Sequence, residues 1–239
     1  MRIIAVTNQK GGTGKTTSAW AIITGAAARG RKVLGIDFDP QGNLTFMMNA
    51  DANKASVLQG AEIQHTAAGD IIAAGMDIAG VTDTKALEAV IKPLRGLYDL
   101  IVIDCPPTLG KPLICALWAA TEALIPVQAD PLSIQGLYQM RVTIDQVNEK
   151  RAITRPARPP MSITGAFLTR HSARSIISRN MADAIQERCA ALHIPFIDTP
   201  IREGVAIKEA QTMQESLFTY APKSKPAADY MALLDALKI

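Results

Sequence analysis

Lys10-Gly11-Gly12-Thr13-Gly14-Lys15-Thr16-Thr17 follows the apolar run Ile3-Ile4-Ala5-Val6 and precedes an apolar, alanine-rich stretch. A strand, a glycine-rich turn and a helix in that order form a phosphate cradle. Gly11, Gly12 and Gly14 are expected to free the turn, so that successive backbone N–H groups converge on phosphate oxygens at the helix start. Lys15 is then placed to reach the β- and γ-phosphates, and the Thr16 hydroxyl to ligate Mg²⁺. Counted back from Lys15, the general pattern wants its first glycine at position 9; here Gln9 stands there, and a second lysine, Lys10, follows it.

Outward from the loop, short β-branched runs alternate with helical stretches. Strands are expected at 2–7, 33–37, 70–74, 100–104, 122–127, 162–168 and 196–199, and helices at 16–29, 84–94 and 176–192. Runs apolar on both faces belong to a covered parallel sheet. The fold expected is α/β, a mainly parallel twisted sheet with helices on both faces and its site at the strand C-terminal ends. Residues 150–160, rich in Arg and Pro, read as a loop. At 239 residues and 48% hydrophobic, one domain over 1–239 suffices to bury a core.

Two strand ends carry acids where phosphate chemistry needs them. Asp37 closes the second strand, with Asp39 two residues on, and Asp104 closes the fourth. Asp39 is the candidate for orienting an attacking water, and Asp104 for holding Mg²⁺ directly or through water.

Composition narrows the classes. No apolar run reaches membrane-spanning length and no leader precedes the first strand, so a cytoplasmic protein is expected. Cys105, Cys115 and Cys189 sit in apolar contexts and read as buried thiols rather than a disulfide framework or zinc site. Residues 141–225 hold 13 Lys and Arg against 8 Asp and Glu, a local excess of +5 within a net charge of +3. That excess raises the prospect of a polyanionic partner.

The boxes KGGTGKTT, DFDPQGNLT, YDLIVIDCPPTLG and IPVQADPLSIQGL resemble the successive signatures of ParA-type partition ATPases of the ParA/MinD superfamily. TPIREGVAIKEA and YAPKSKPAADY resemble that family's C-terminal boxes. The resemblance implies a P-loop NTPase fold, with ATP and Mg²⁺ as cofactors. It makes Lys10 a signature lysine acting across a dimer, Lys15 the Walker A lysine, Thr16 a Mg²⁺ ligand, Asp39 the catalytic acid and Asp104 the Walker B acid. Asp37 becomes a supporting acid near the metal.

It further implies an ATP-bound homodimer that binds DNA without sequence preference and is stimulated by a ParB-like centromere-binding partner. Arg174 and Arg202 resemble parts of the family's DNA face, and Arg170, Lys208 and Lys223 share the basic third. The chain resembles the short class, without an N-terminal helix-turn-helix. Three alternatives share the loop: a MinD-like ATPase ending in a lipid-binding helix, a reductase bridging a cluster through cysteines, and an amidoligase. The tail AADYMALLDALKI carries two acids and one lysine, which suits packing on the domain and no membrane attachment.

Overall fold

Strands β1 (Arg2–Val6), β2 (Val33–Asp37) and β5 (Leu100–Asp104) are almost wholly buried. Both faces of each are apolar because both faces of the sheet are covered. The computed structural model describes residues 1–54, 56–172 and 175–239. With β3 (Ile63–Thr66), β4 (Gly69–Ile72), β6 (Glu122–Gln128) and β7 (Ser162–Thr169), the strands join one sheet in the order β3-β4-β2-β5-β1-β6-β7. Every pairing is parallel except β3 with β4.

Nine helices flank the sheet among the described residues: α1 (Lys15–Ala28), α2 (Asn43–Met47), α3 (Ala86–Ile91), α4 (Lys111–Ala119), α5 (Pro131–Thr154), α6 (Ile176–Ala191), α7 (Val205–Thr212), α8 (Leu217–Tyr220) and α9 (Lys225–Ala236). One core lies under α3 to α6 and includes Ile36, Ile103, Leu117 and Met140. The other lies under α1, α2 and α7 to α9 and includes Ile4, Trp20, Val102 and Leu234. From β5 the chain steps over β1 to form β6, so the connections diverge beside β1. A ligand crevice belongs at the C-terminal ends of these central strands.

α1 packs close to the C-terminal helices because Gly25 has no side chain. A Cβ there would stand 2.5 Å from Leu234 Cδ1 and 2.8 Å from Phe218 Cε2. Overpacking of this kind costs about 1–3 kcal/mol. Gly25→Val should therefore lower the melting temperature by several degrees in a thermal scan, at roughly 2–4 °C per kcal/mol for a chain this size. An unchanged midpoint would mean that the α1–α9 contact is looser than this geometry.

Four sequence expectations need correction. Residues 196–199 form no strand: Phe196 makes a single bridge to Ala166, and Pro195 and Pro200 deprive the segment of two ladder donors. Strand 70–74 is Gly69–Ile72, preceded by the unforeseen antiparallel partner β3. Helix 84–94 shrinks to Ala86–Ile91 and then tightens to a 3₁₀ turn at Lys92–Leu94, where Pro93 stands. The loop expected over 150–160 starts later, because α5 runs on to Thr154.

Candidate functional site

The loop after β1 takes its shape from both ends. Gly12 (φ 76°) and Gly14 (φ 84°) occupy left-handed backbone that residues bearing a Cβ resist. Gly11 does not: its φ is not positive and a Cβ there would meet open space, so two glycines rather than three are required by geometry. Gly14 caps α1 without a side-chain hydrogen bond, which leaves the first-turn N–H groups of the helix directed out of its N-terminus.

Neighbouring side chains hold the loop's carbonyls. Thr169 Oγ1 at the end of β7 donates to Thr13 O (2.8 Å), and Gln128 Nε2 at the end of β6 donates to Gly12 O (2.7 Å). Buried Asn8 accepts from Lys10 N (3.0 Å) and donates to Pro126 O (2.8 Å). With carbonyls so engaged, the loop's N–H groups are the ones left to face an anion. Gln128 and Thr169 were missed in the sequence because each reaches the loop from a strand distant along the chain, and Asn8 because its other partner, Pro126, lies 118 positions away.

Lys15 is 6% exposed, and its Nζ donates to Lys10 O at 3.0 Å. Burial pulls its ammonium below the ordinary pKa, while Asp104, Cys105 and Asp39 pull the other way. Asp104 is fully buried and neither carboxylate oxygen has a hydrogen-bond partner among the described residues. Burial, then the charge of Asp37, pushes its pKa well up, and nearby Thr16 and Lys15 oppose the rise.

Asp37 sits beside Asp104 in the β2–β5 register, but its oxygens are already occupied. One accepts from Thr45 N (2.7 Å) and Thr45 Oγ1 (2.8 Å), the other from Asp39 N (3.3 Å). It organises the turn into α2. Burial foremost pushes it up to about 6. Asp39 is 7% exposed and accepts from Gln41 N at 3.1 Å.

This donor set fits a Mg²⁺ bound together with phosphates. An orphaned carboxylate near a threonine hydroxyl, under a phosphate cradle, supplies the one or two protein oxygens that such an ion takes. No group of three His, Cys, Asp or Glu converges as an all-protein cage among the described residues.

Lys10 points elsewhere. Its Nζ forms an ion pair with Asp130, the residue that caps α5 by accepting from Ser133 N (3.1 Å). Burial pushes Asp130 up, but the Lys10 ammonium and Ser133 N–H outweigh it and hold the carboxyl below its ordinary value. Asp130 caps α5 with Pro131 at its first position, so the Lys10 ammonium rests on the residue that starts that helix.

Of the basic residues assigned to DNA, Arg174 lies outside the described residues. Arg170, Arg202 and Lys208 line a small cleft that opens from Gly14 and Thr17, with Ile201 and Ile207 as its apolar wall. Arg202 is engaged with Asp229, its Nε donating at 2.9 Å. Lys223 is exposed just before α9. The C-terminal boxes thus pack against the end of the loop and the first turn of α1. Gln211 Nε2 donates to Thr17 Oγ1 (3.0 Å), and Tyr230 OH meets Ser18 Oγ (3.2 Å).

The thiols are all free and buried, as the sequence suggested. Burial pushes Cys115 and Cys189 up to about 11 and Cys105 higher. All three lie inside the domain and none is presented at its surface. α9 buries Pro226, Ala227, Tyr230, Leu233 and Leu234, so its apolar face is already used against the domain. Among the described residues no helix is long and apolar enough to cross a membrane.

A family model described as an AAA domain matches residues 1–155. The chain is 30% identical over 257 residues to the chromosome partitioning protein ParA of Caulobacter vibrioides, covering 98% of this chain and 92% of that one. It is 28% identical over 255 residues to the sporulation initiation inhibitor protein Soj of Bacillus subtilis, covering 97% and 96%. Among solved structures, cobyrinic acid a,c-diamide synthase of Mycobacterium smegmatis with bound ADP and magnesium superimposes with a TM-score of 0.81 at 31% identity, covering 100% and 94%. A two-lysine phosphate loop at the divergence of a parallel sheet, and similarity along nearly the whole chain, place it in one family: the chain belongs to the ParA/MinD-type P-loop ATPases.

Proposed function

We propose that the chain is a Mg²⁺-dependent ATPase that dimerises with ATP, binds DNA without sequence preference and drives plasmid or chromosome partition with a ParB-like partner. The observation that carries the reading is the division of labour between the two lysines. Lys15 is buried in the cradle above the orphaned Asp104 carboxylate, whereas Lys10 stands at the rim on Asp130.

In this reading the loop N–H groups and Lys15 bind the β- and γ-phosphates, and Asp39 orients water toward the γ-phosphate. When bound, Mg²⁺ neutralises charge developing on the phosphate oxygens, held by Thr16 and Asp104. Lys10 leaves Asp130 to serve the nucleotide of a second subunit. Both side chains of that pair are more than a quarter exposed, and such ion pairs are worth about 0–1 kcal/mol, so the pairing does not prevent the move. Arg170, Arg202, Lys208, Lys223 and Arg174 supply the basic surface for DNA phosphates in the cytoplasm. Arg202 contributes while still tethered to Asp229.

The test is gel filtration and DNA co-sedimentation without nucleotide, with Mg-ADP and with Mg-ATP. Dimer and DNA binding should appear with Mg-ATP alone. DNA affinity should fall linearly on a log–log salt plot, and Lys223→Ala should flatten that slope by about one unit if Lys223 contacts a phosphate. Equal DNA binding with ADP and ATP would sink the partition reading. Similarity to the diamide synthase keeps an amide-forming alternative, which turnover strictly dependent on glutamine and a carboxylic acid would favour.

A further inference from the structure

At the end of the sheet opposite the phosphate loop, before β1, β5, β6 and β7 begin, lies a cleft of about 890 Å³. The five residues of β1 separate the two ends by roughly 16 Å. Four arginines line the cleft, Arg95, Arg151, Arg155 and Arg158, against one acid, Glu88.

Two of these arginines have a structural task. Arg151 is 1% exposed, and its Nη2 donates to the carbonyls of Leu117 (2.6 Å), Trp118 (2.5 Å) and Ala120 (2.7 Å). Arg158 Nη2 donates to Ala119 O (2.9 Å) and its Nη1 to Glu88 Oε1 (2.6 Å). Together they satisfy the carbonyl end of α4, where cations belong.

That task leaves Arg155 and Arg95 over. Arg155 Nη1 donates to the same Glu88 oxygen (2.6 Å) that already serves Arg158, and its side chain is 43% exposed. Arg95 is exposed, with no side-chain hydrogen bond or ion pair among the described residues. Arg151 Nε is buried and unpartnered in the same group. Burial and then the charge of Arg158 pull Arg151 down to about 10. Burial, Arg155 and Arg95 also lower Arg158 against the attraction of Glu88. Like charges gathered this closely oppose one another unless an anion joins them.

We propose that this cleft is a second anion site, which takes a small phosphorylated molecule bearing two or more phosphate groups. Arg95 and Arg155 grip the phosphates, and Arg151 and Arg158 supply a fixed positive field behind them. Arginine forks match phosphate oxygens pairwise. The apolar wall of Ile3, Pro156, Pro159 and Pro160, and a volume in the usual range for small ligands, suit a molecule of nucleotide size.

The probe is tripolyphosphate, titrated calorimetrically into the full chain saturated with Mg-ADP and excess Mg²⁺, so that the phosphate loop is already filled. One further equivalent should bind. Arg95→Gln has no partner to lose and should weaken that binding at least tenfold, the scale of one charge-assisted hydrogen bond at about 1.5–3 kcal/mol. Arg95→Gln with Arg155→Gln should abolish it, with ATP turnover unchanged in both variants. The proposal is overturned by the absence of a second equivalent, by binding indifferent to these substitutions, or by tighter binding of poly-glutamate or duplex DNA than of tripolyphosphate at equal ionic strength.

Discussion

Lys15→Ala is expected to abolish ATP-induced stabilisation and to lower turnover by at least a hundredfold. The ammonium is almost fully enclosed, and a carbonyl is its sole hydrogen-bond partner among the described residues, so its charge is there for phosphate rather than for the fold. Removing a preorganised donor from a site of this kind costs about 10²–10³ in rate. Burial depresses the Lys15 pKa, so enclosing the ammonium costs stability at neutral pH, a cost that the neighbouring Asp104 and Asp39 partly offset. ATP at a hundred times its dissociation constant stabilises by about 2.7 kcal/mol. The parent should therefore gain roughly 5–10 °C in a thermal scan, at about 2–4 °C per kcal/mol. The variant should gain none. Turnover at the parent rate would place the phosphate site elsewhere.

Asp39→Ala should separate binding from hydrolysis. Asp39 is nearly buried at the end of β2, and its oxygen serves the Gln41 N–H rather than any phosphate-loop group. An orienting group acts in the transition state, so its loss lowers kcat while leaving affinity close to the parent value. The expected result is a drop of about 10²–10³ in kcat, comparable to other preorganised contacts, with Mg-ATP trapping a long-lived dimer on gel filtration. Asp39→Asn keeps an acceptor for Gln41 and removes the charge, and it should behave as the alanine variant does. If the asparagine variant turns over normally, Asp39 builds the turn and another group positions the water.

What could be read in the sequence was local. The phosphate loop announces itself because glycines, lysine and threonine must be adjacent in the chain to surround one phosphate group, and the central strands because burial on both faces leaves continuous apolar runs. Strand β3 escaped because three of its four residues, Gln64, His65 and Thr66, are polar, and it earns its place only by pairing with β4. The run at 196–199 misled for the converse reason: it has β-forming side chains between two prolines. Arg151 was invisible as a core residue, since its carbonyl partners lie about thirty residues upstream and arginine is ordinarily a surface residue. The Lys10–Asp130 pair spans 120 positions and left no mark in spacing.

The segment that disappointed as a strand has a consequence for assembly. Beyond β7, the backbone from 195 to 202 follows the strand's outer side: Ala166 N donates to Pro195 O (2.8 Å), Ile197 N to Ala166 O (2.8 Å), Ile201 N to Leu168 O (2.8 Å) and His171 N to Ile201 O (3.0 Å). Pro195 accepts from the sheet, and neither Pro195 nor Pro200 has an N–H to offer outward. An irregular strip, interrupted by two prolines, covers this border of the sheet. A copy extending the sheet would find the β7 border covered and would have to approach the opposite edge, where β3 pairs with β4 alone.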